Sequence, residues 1–375
     1  MKSGPWYLLE NEDDVPSPAL LVYRDHVDEN LQRMLAMAGS PERLRPHVKT
    51  HKVPQIVRAQ LAQGITKFKC ATMAEAEMTA QAGAPDVLLA YQPVGPNVQR
   101  LLMLTGRYPS TQFSALVDDE QTLDAIARAC ANRGLAIKLL LDLDVGMHRT
   151  GIEPGERACA LYRKLASMGG VRAGGLHAYD GHLRDTHAGV RRLQCNEAFE
   201  PVAAFANRLE RDGLPVSRIV AGGTPTFPFH AERSGVESSP GTCVYWDWGY
   251  SSTLHDLRFE HAALVLTRVV SKPGPNRLCF DLGHKAIASE NPHPRVMLFS
   301  QYSEWALEAT FVGHSEEHLV VETPEAHLFK VGDCLYGVPW HICPTVALYS
   351  EVLVVEERAV VDRWEIVGRT RRLKV

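Results

Sequence analysis

The sequence predicts an α/β fold, a (β/α)8 barrel of the TIM type followed by a C-terminal antiparallel β domain. Up to about residue 245, eight apolar runs rich in β-formers alternate with longer stretches whose apolar residues recur every three to four positions. From about Leu257 that period stops, and short β-rich runs separated mostly by Gly, Pro, Asn and Asp take over. A length of 375 residues also exceeds one typical domain and fits two.

The eight expected barrel strands are 19–23, 44–48, 67–71, 86–91, 112–117, 136–143, 174–179 and 219–222. Helical patterns between them include 25–38, 73–82, 97–105, 119–131, 156–167 and 189–211, and in 119–131 the residues Leu123, Ile126 and Ala127 share one face. Strict alternation favours the closed barrel over a doubly wound open sheet. The barrel is expected over 14–250. The β domain is expected over 251–375, from runs at 262–270, 277–280, 296–299, 309–312, 319–321, 346–348, 352–355 and 363–366, completed by residues 1–13.

Composition narrows the function. A net charge of −4 argues against nucleic acid or an anionic membrane as partner, since both need a basic face. The sequence starts without an apolar signal core and has no apolar run of spanning length, so the expected compartment is the cytoplasm. The eight cysteines lack framework spacing and read as reduced, mostly core residues.

Candidate chemistry begins at Arg43-Leu-Arg-Pro-His-Val-Lys49-Thr-His-Lys52. Lys49 ends an extended run and precedes a helical pattern, the place where barrels build chemistry. Arg43, Arg45 and Lys52 crowd it with positive charge, which lowers a lysine's pKa toward what an amine nucleophile needs; the plainer reading is a solvated basic loop. Gly222-Gly223-Thr224 follows the last expected strand, where glycine lets backbone N–H groups approach an anion, and Pro240-Gly241-Thr242 could add donors. Asp142 and Asp144 share a face at the end of the sixth run. His177 and Tyr179 share one at the end of the seventh, and the turn beyond offers Asp180, His182 and Asp185. Near the C-terminus, His341-Ile-Cys343 in extended chain would put imidazole and thiolate on one side, able to share a divalent ion.

Arg45-Pro-His-Val-Lys49-Thr-His-Lys52 resembles the lysine motif of the D-threonine aldolase and D-serine dehydratase family of fold-type III pyridoxal-phosphate enzymes, relatives of alanine racemase. The resemblance runs through nearly the whole chain and implies that Lys49 carries pyridoxal 5'-phosphate as a Schiff base. It also implies that Gly222, Gly223, Thr224, Gly241 and Thr242 seat the phosphate, that Arg149 of Arg149-Thr-Gly151 approaches the cofactor ring, and that Tyr179 contacts cofactor or substrate. The family's histidine base falls by spacing on Asp185 here, a departure for which His182 is the substitute. His341 and Cys343 match the family's metal pair beside the cofactor; cysteine favours Zn2+, whereas the family's aspartate variant would favour Mn2+ or Mg2+.

The likeness through Leu141-Asp-Leu-Asp-Val-Gly-Met-His-Arg-Thr-Gly151 and His177-Ala-Tyr-Asp-Gly-His182 leans toward the aldolases, and the cysteine ligand toward the dehydratases. The expected reaction is retro-aldol cleavage of D-3-hydroxy-amino acids to glycine and an aldehyde. The alternative is β-elimination to a keto acid and ammonia, with a racemase or a non-catalytic cofactor-binding protein behind it. The resemblance and the β domain together suggest a homodimer.

Overall fold

The computed structural model describes residues 4–303 and 305–374. The first three residues of the segment expected to complete the β domain, with Glu304 and Val375, lie outside them. The chain divides into two compact units, one comprising residues up to Leu31 with Thr242–Ile366, the other Gln32–Gly241 with Val367–Val375. These boundaries differ from the expected 14–250 and 251–375. The reason is β1 (Ala19–Tyr23), which does not join the barrel although all five of its residues are buried.

The barrel unit holds seven parallel strands in sequential order: β2 (Lys67–Cys70), β3 (Asp86–Leu89), β4 (Gln112–Val117), β5 (Ile137–Leu143), β6 (Val171–Ala178), β7 (Ile219–Ala221) and β8 (Val236–Ser238). Residues 44–48, expected as a regular strand, form only isolated bridges, Leu44 to Ser238 and His47 to Lys69. Pro46 has no N–H to give a ladder. Even so, Arg45 N donates to Ser238 O at 2.8 Å, and Val48 N to Lys69 O and Lys69 N to Pro46 O at 2.9 Å each. The segment is therefore an irregular eighth stave bonded on both sides, and it closes the ring between β8 and β2. Counted from it, Lys49 follows the first stave rather than the second, the Gly222 loop follows the seventh and Gly241 the eighth. Phosphate seats in barrels use the loops after those last two.

Local chemistry explains the helices that position these loops. Thr72 Oγ1 accepts from Glu75 N at the start of Met73–Gln81, and Asp119 Oδ1 accepts from Thr122 N at the start of Glu120–Ala131. Pro54 and Pro96 open Pro54–Ala62 and Pro96–Arg107, where a missing N–H costs nothing. Leu88, Leu116, Leu140 and Val220, from β3, β4, β5 and β7, form one apolar cluster. Fully buried Arg45 donates from Nε to Glu237 Oε2 and from Nη1 to Asp86 Oδ1, both at 2.7 Å. Arg218 also holds Asp86 at 2.9 Å, and Lys67 holds Glu237 at 2.7 Å. After Ile366 the chain returns to this unit, where Gly368 N donates to Lys52 O.

The β unit is a mixed sheet rather than a purely antiparallel one. Its strands are β1, β9 (Ala263–Gly274), β10 (Arg277–Phe280), β11 (Val296–Phe299), β12 (Thr310–His314), β13 (Leu319–Glu322), β14 (Cys334–Pro339), β15 (Glu351–Glu356) and β16 (Ala359–Glu365). The order is β12-β13-β10-β9-β1-β15-β16, with β14 joining β11 to β9. Only the β1–β15 pair is parallel among the described pairs. Tyr7 and Leu9 pack with Leu21, Leu264, Leu266, Tyr336 and Leu353, and Glu10 N donates to Arg358 O. Residues 346–348, expected as a strand, instead end and follow the short helix Ile342–Val346. No helix among the described residues is long and apolar enough to cross a membrane.

Candidate active site

The cations that crowd Lys49 in sequence do not crowd it in space as a solvated loop would. Arg43 donates to Arg233 O, Arg45 turns into the barrel, and Lys52 pairs with buried Glu75. Lys49 itself is half-buried, its backbone N donates to His47 Nδ1 at 3.2 Å, and its amine has no hydrogen-bond or ion-pair partner among the described residues. Burial, then the charges of Lys49 and Lys69, hold the His47 imidazole well below its ordinary pKa, so it is neutral. The cation missed by sequence reasoning is Lys69, buried on β2 with its amine 5.5 Å from the centre of the Tyr179 ring. The alternation in Lys67-Phe-Lys69-Cys70 was the available signal, since a period of two sends Lys67 and Lys69 the same way.

At the end of β5 and β6, buried His177 Nδ1 donates to Asp142 Oδ1 at 2.7 Å. Burial pushes the His177 pKa down against the pull of Asp142. Its Nε2 is buried without a hydrogen-bond partner, an acceptor left open at the end of β6. Asp144 takes a different path and caps its own turn, accepting from His148 Nδ1 at 2.8 Å and from Gly146 N at 3.0 Å. Arg149 is exposed and stands 5.0 Å from the Tyr179 ring centre, a cation–π contact. Tyr179 folds back over Gly181 and against Gly223, where an added Cβ would lie 3.1 Å from its ring.

The Gly222–Thr226 loop is built for close approach. Gly222 has φ +75°, and a Cβ there would meet His230 Cδ2 at 2.5 Å. A Cβ on Gly241 would lie 3.1 Å from His47 O. The Gly222 amide donates to Ala178 O and the Gly241 amide to Thr224 Oγ1, so these two glycines contribute proximity rather than free donors. The loop is braced from behind by Asp180, which accepts from Thr226 Oγ1 and from His230 Nε2 at 2.8 Å each. These contacts hold the Asp180 carboxyl below its usual pKa despite burial, whereas burial and then Asp180 push the Cys195 thiol up to about 12. Asp180, Cys195 and His230 have potential ligand atoms within 4.8 Å of one another, but their mutual hydrogen bonds already close the cluster. His182 is exposed, against Gly146, and Asp185 Oδ1 accepts from His187 N ahead of the helix Ala188–Arg211.

In the β unit, His341 is extended but Cys343 lies in the first turn of Ile342–Val346, so the pair is not the fully extended arrangement expected. Pro344 suits a first helical turn and starts the helix early. The side chains still meet. His341 Nδ1 donates to Glu290 Oε1 at 2.5 Å, and Thr242 Oγ1 lies 3.8 Å from Cys343 Sγ. Burial would lower the His341 pKa, but its contact with Cys343, then Asp247 and Glu290, outweighs this and pushes it up to about 9. A carboxylate on one ring nitrogen is the support that metal-ligating histidines commonly have.

An uncommitted lysine amine, a glycine-lined loop after the seventh stave and a surplus of cations suit a phosphate-bearing aldehyde. The comparisons agree. The alanine racemase N-terminal domain model matches residues 22–247, and a serine dehydratase domain model matches residues 262–355. The chain belongs to the alanine racemase-like, fold-type III family. It is 32% identical to a D-threonine aldolase from Arthrobacter sp over 95% of this chain and 93% of that one. A D-threo-3-hydroxyaspartate dehydratase from Delftia sp. is 27% identical over 93% and 96%. The crystal structure of a D-threonine aldolase from Filomicrobium marinum superposes with a TM-score of 0.87 at 27% identity, covering 98% of this chain and 99% of that one. Pyridoxal phosphate is the cofactor expected of such a fold, and the relatives make this chain an enzyme of that family acting on a small molecule.

Proposed function

We propose that the chain is a pyridoxal phosphate- and divalent metal-dependent D-threonine aldolase, cleaving D-3-hydroxy-amino acids to glycine and an aldehyde. The observation that carries this reading is the full-length likeness to the Arthrobacter D-threonine aldolase. When bound, pyridoxal phosphate supplies an electron sink for the bond broken at Cα. Lys49 anchors it, and Gly222, Gly223, Thr224, Gly241 and Thr242 receive its phosphate. Arg149 would approach its ring, and Tyr179 would contact cofactor or substrate. His341 and Cys343 hold the ion, Zn2+ by the softness of sulfur, with Mn2+ and Mg2+ as alternatives; its chemistry is to lower the pKa of a bound hydroxyl. His182, exposed and without a hydrogen bond among the described residues, would be the base for the substrate's hydroxyl proton, with Asp185 orienting the turn that carries it.

The dehydratase reading is favoured by one feature, the cysteine in the ion pair, and by the full-length likeness to the Delftia dehydratase. Product analysis on D-threonine, with pyridoxal phosphate and Mn2+ or Zn2+ added separately, separates them. Glycine with acetaldehyde supports the aldolase; ammonia with 2-oxobutanoate overturns it in favour of the dehydratase. Turnover that persists after chelation would point to a racemase instead. The same reading makes the protein a cytoplasmic homodimer, which sedimentation and fractionation test.

A further inference from the structure

The barrel mouth holds a second lysine that the chemistry above does not use. Lys69 lies on the stave beside the 44–48 segment, its backbone bonded to Pro46 O and Val48 N. The residue is 2% exposed, yet its Nζ has no hydrogen-bond partner among the described residues and stands only over the Tyr179 ring. An ammonium on so nearly buried a side chain, with no partner beyond an aromatic face, is disfavoured, so a lysine kept in such a place gains from either neutrality or an anion.

The surrounding charges lean both ways. From the first stave, Lys49 and Arg45 oppose protonation of Lys69; from β5 and the end of β6, Asp142 and Asp180 favour it. Neither carboxylate is a dedicated partner, because Asp142 is taken by His177, and Asp180 by Thr226 and His230. His47 and His177 share this space and are kept neutral chiefly by burial. Burial dominates at Lys69 as well and brings its pKa down to about 7.

We propose that Lys69 is the proton-linked counter-cation of the cofactor, only partly charged without it and fully protonated when pyridoxal phosphate brings its phosphate and ring oxygen into the mouth. At Lys69 the only bond formed is N–H, with the proton taken from solvent; at Lys49 the imine forms separately, with loss of water. The proposal rests on the reading that this pocket takes pyridoxal phosphate on Lys49.

Calorimetric titration of the full-length, cofactor-stripped protein with pyridoxal phosphate, at pH 8 in two buffers of different ionisation enthalpy, tests it. The cofactor's phosphate is already fully ionised there, while its ring nitrogen and Lys49 also exchange protons on binding, so the uptake due to Lys69 is read as the difference between the wild type and Lys69→Met. Affinity should be greatest where Lys69 is already charged and should fall as pH rises above about 7. Lys69→Met should take up fewer protons than the wild type, lose this pH slope, and weaken binding about tenfold near pH 7. Lys69→Arg should show the same reduced uptake yet bind tightly at pH 8, because a guanidinium stays charged. Uptake in Lys69→Met equal to that of the wild type overturns the proposal, as does Lys69→Arg binding as weakly as Lys69→Met. Lys49→Ala separates the two readings. If it keeps the visible absorption of the bound cofactor, the anchor reading fails; if it loses that absorption while Lys69→Met titrates like the wild type, only the counter-cation fails.

Discussion

Replacing Arg45 by methionine probes the barrel interior that carries the site. The side chain is fully buried and makes two charge-assisted bonds of 2.7 Å, to Asp86 and Glu237. Methionine fills similar space but leaves two carboxylates short of a cation, and breaking a buried pair in this way costs about 3–5 kcal/mol. Arg218 and Lys67 still hold one oxygen of each, at 2.9 and 2.7 Å, which sets the expectation at the lower end, about 3 kcal/mol. Urea unfolding followed by circular dichroism reads the loss as a lower midpoint at unchanged slope. Adding Asp86→Asn and Glu237→Gln should recover most of it, because the stranded charges are then gone. A loss under about 1 kcal/mol would refute the reasoning, since it would mean that the carboxylates shed their charge or reach water without Arg45.

Asp86 and Glu237 are held below their ordinary pKa by Arg45 and its neighbours against the opposing effect of burial. Their contribution is therefore present above the unfolded-state value of about 4 and lost as pH falls through the lower folded values, so acid unfolding below about pH 4 should be steeper in the wild type than in Arg45→Met. Lys49→Ala should abolish the visible absorption of bound pyridoxal phosphate while melting like the cofactor-free wild type, as checked by spectrum and melt. His341→Ala should keep that absorption while turnover falls at least a hundredfold, and an active, chelator-resistant variant would sink the metal assignment. Asp180→Asn should loosen the Gly222–Thr226 loop and weaken cofactor affinity about tenfold, read by dialysis equilibrium.

The alternation that marks an α/β barrel was legible because strands buried on both faces read as short apolar runs. The partner of each run was not. The run at 19–23 is as apolar as any barrel strand, and its partners, at 263–274 and 351–356, lie hundreds of residues away. β8 escaped notice because it is three residues long with Glu237 at its centre, a charge that Arg45 and Lys67 make tolerable inside. In the site, the residues bearing chemistry at strand ends could be listed from sequence. What could not be read was which cations turn away from Lys49, or that Lys69 turns toward its pocket, since burial of a charge depends on neighbours far along the chain.

The placement of β1 also sets a timetable for biosynthesis. The strand leaves the ribosome well before its partners: its antiparallel neighbour is complete only at Gly274 and its parallel neighbour only at Glu356. At about 5–20 residues per second, the first wait lasts roughly ten seconds or more, during which every stave from 44 to 238 has already emerged. The nascent chain therefore carries a five-residue, wholly apolar strand with both hydrogen-bonding edges open while the barrel assembles downstream. Its vulnerability in the cell lies in that interval, when a chaperone covering β1 would have the most to protect.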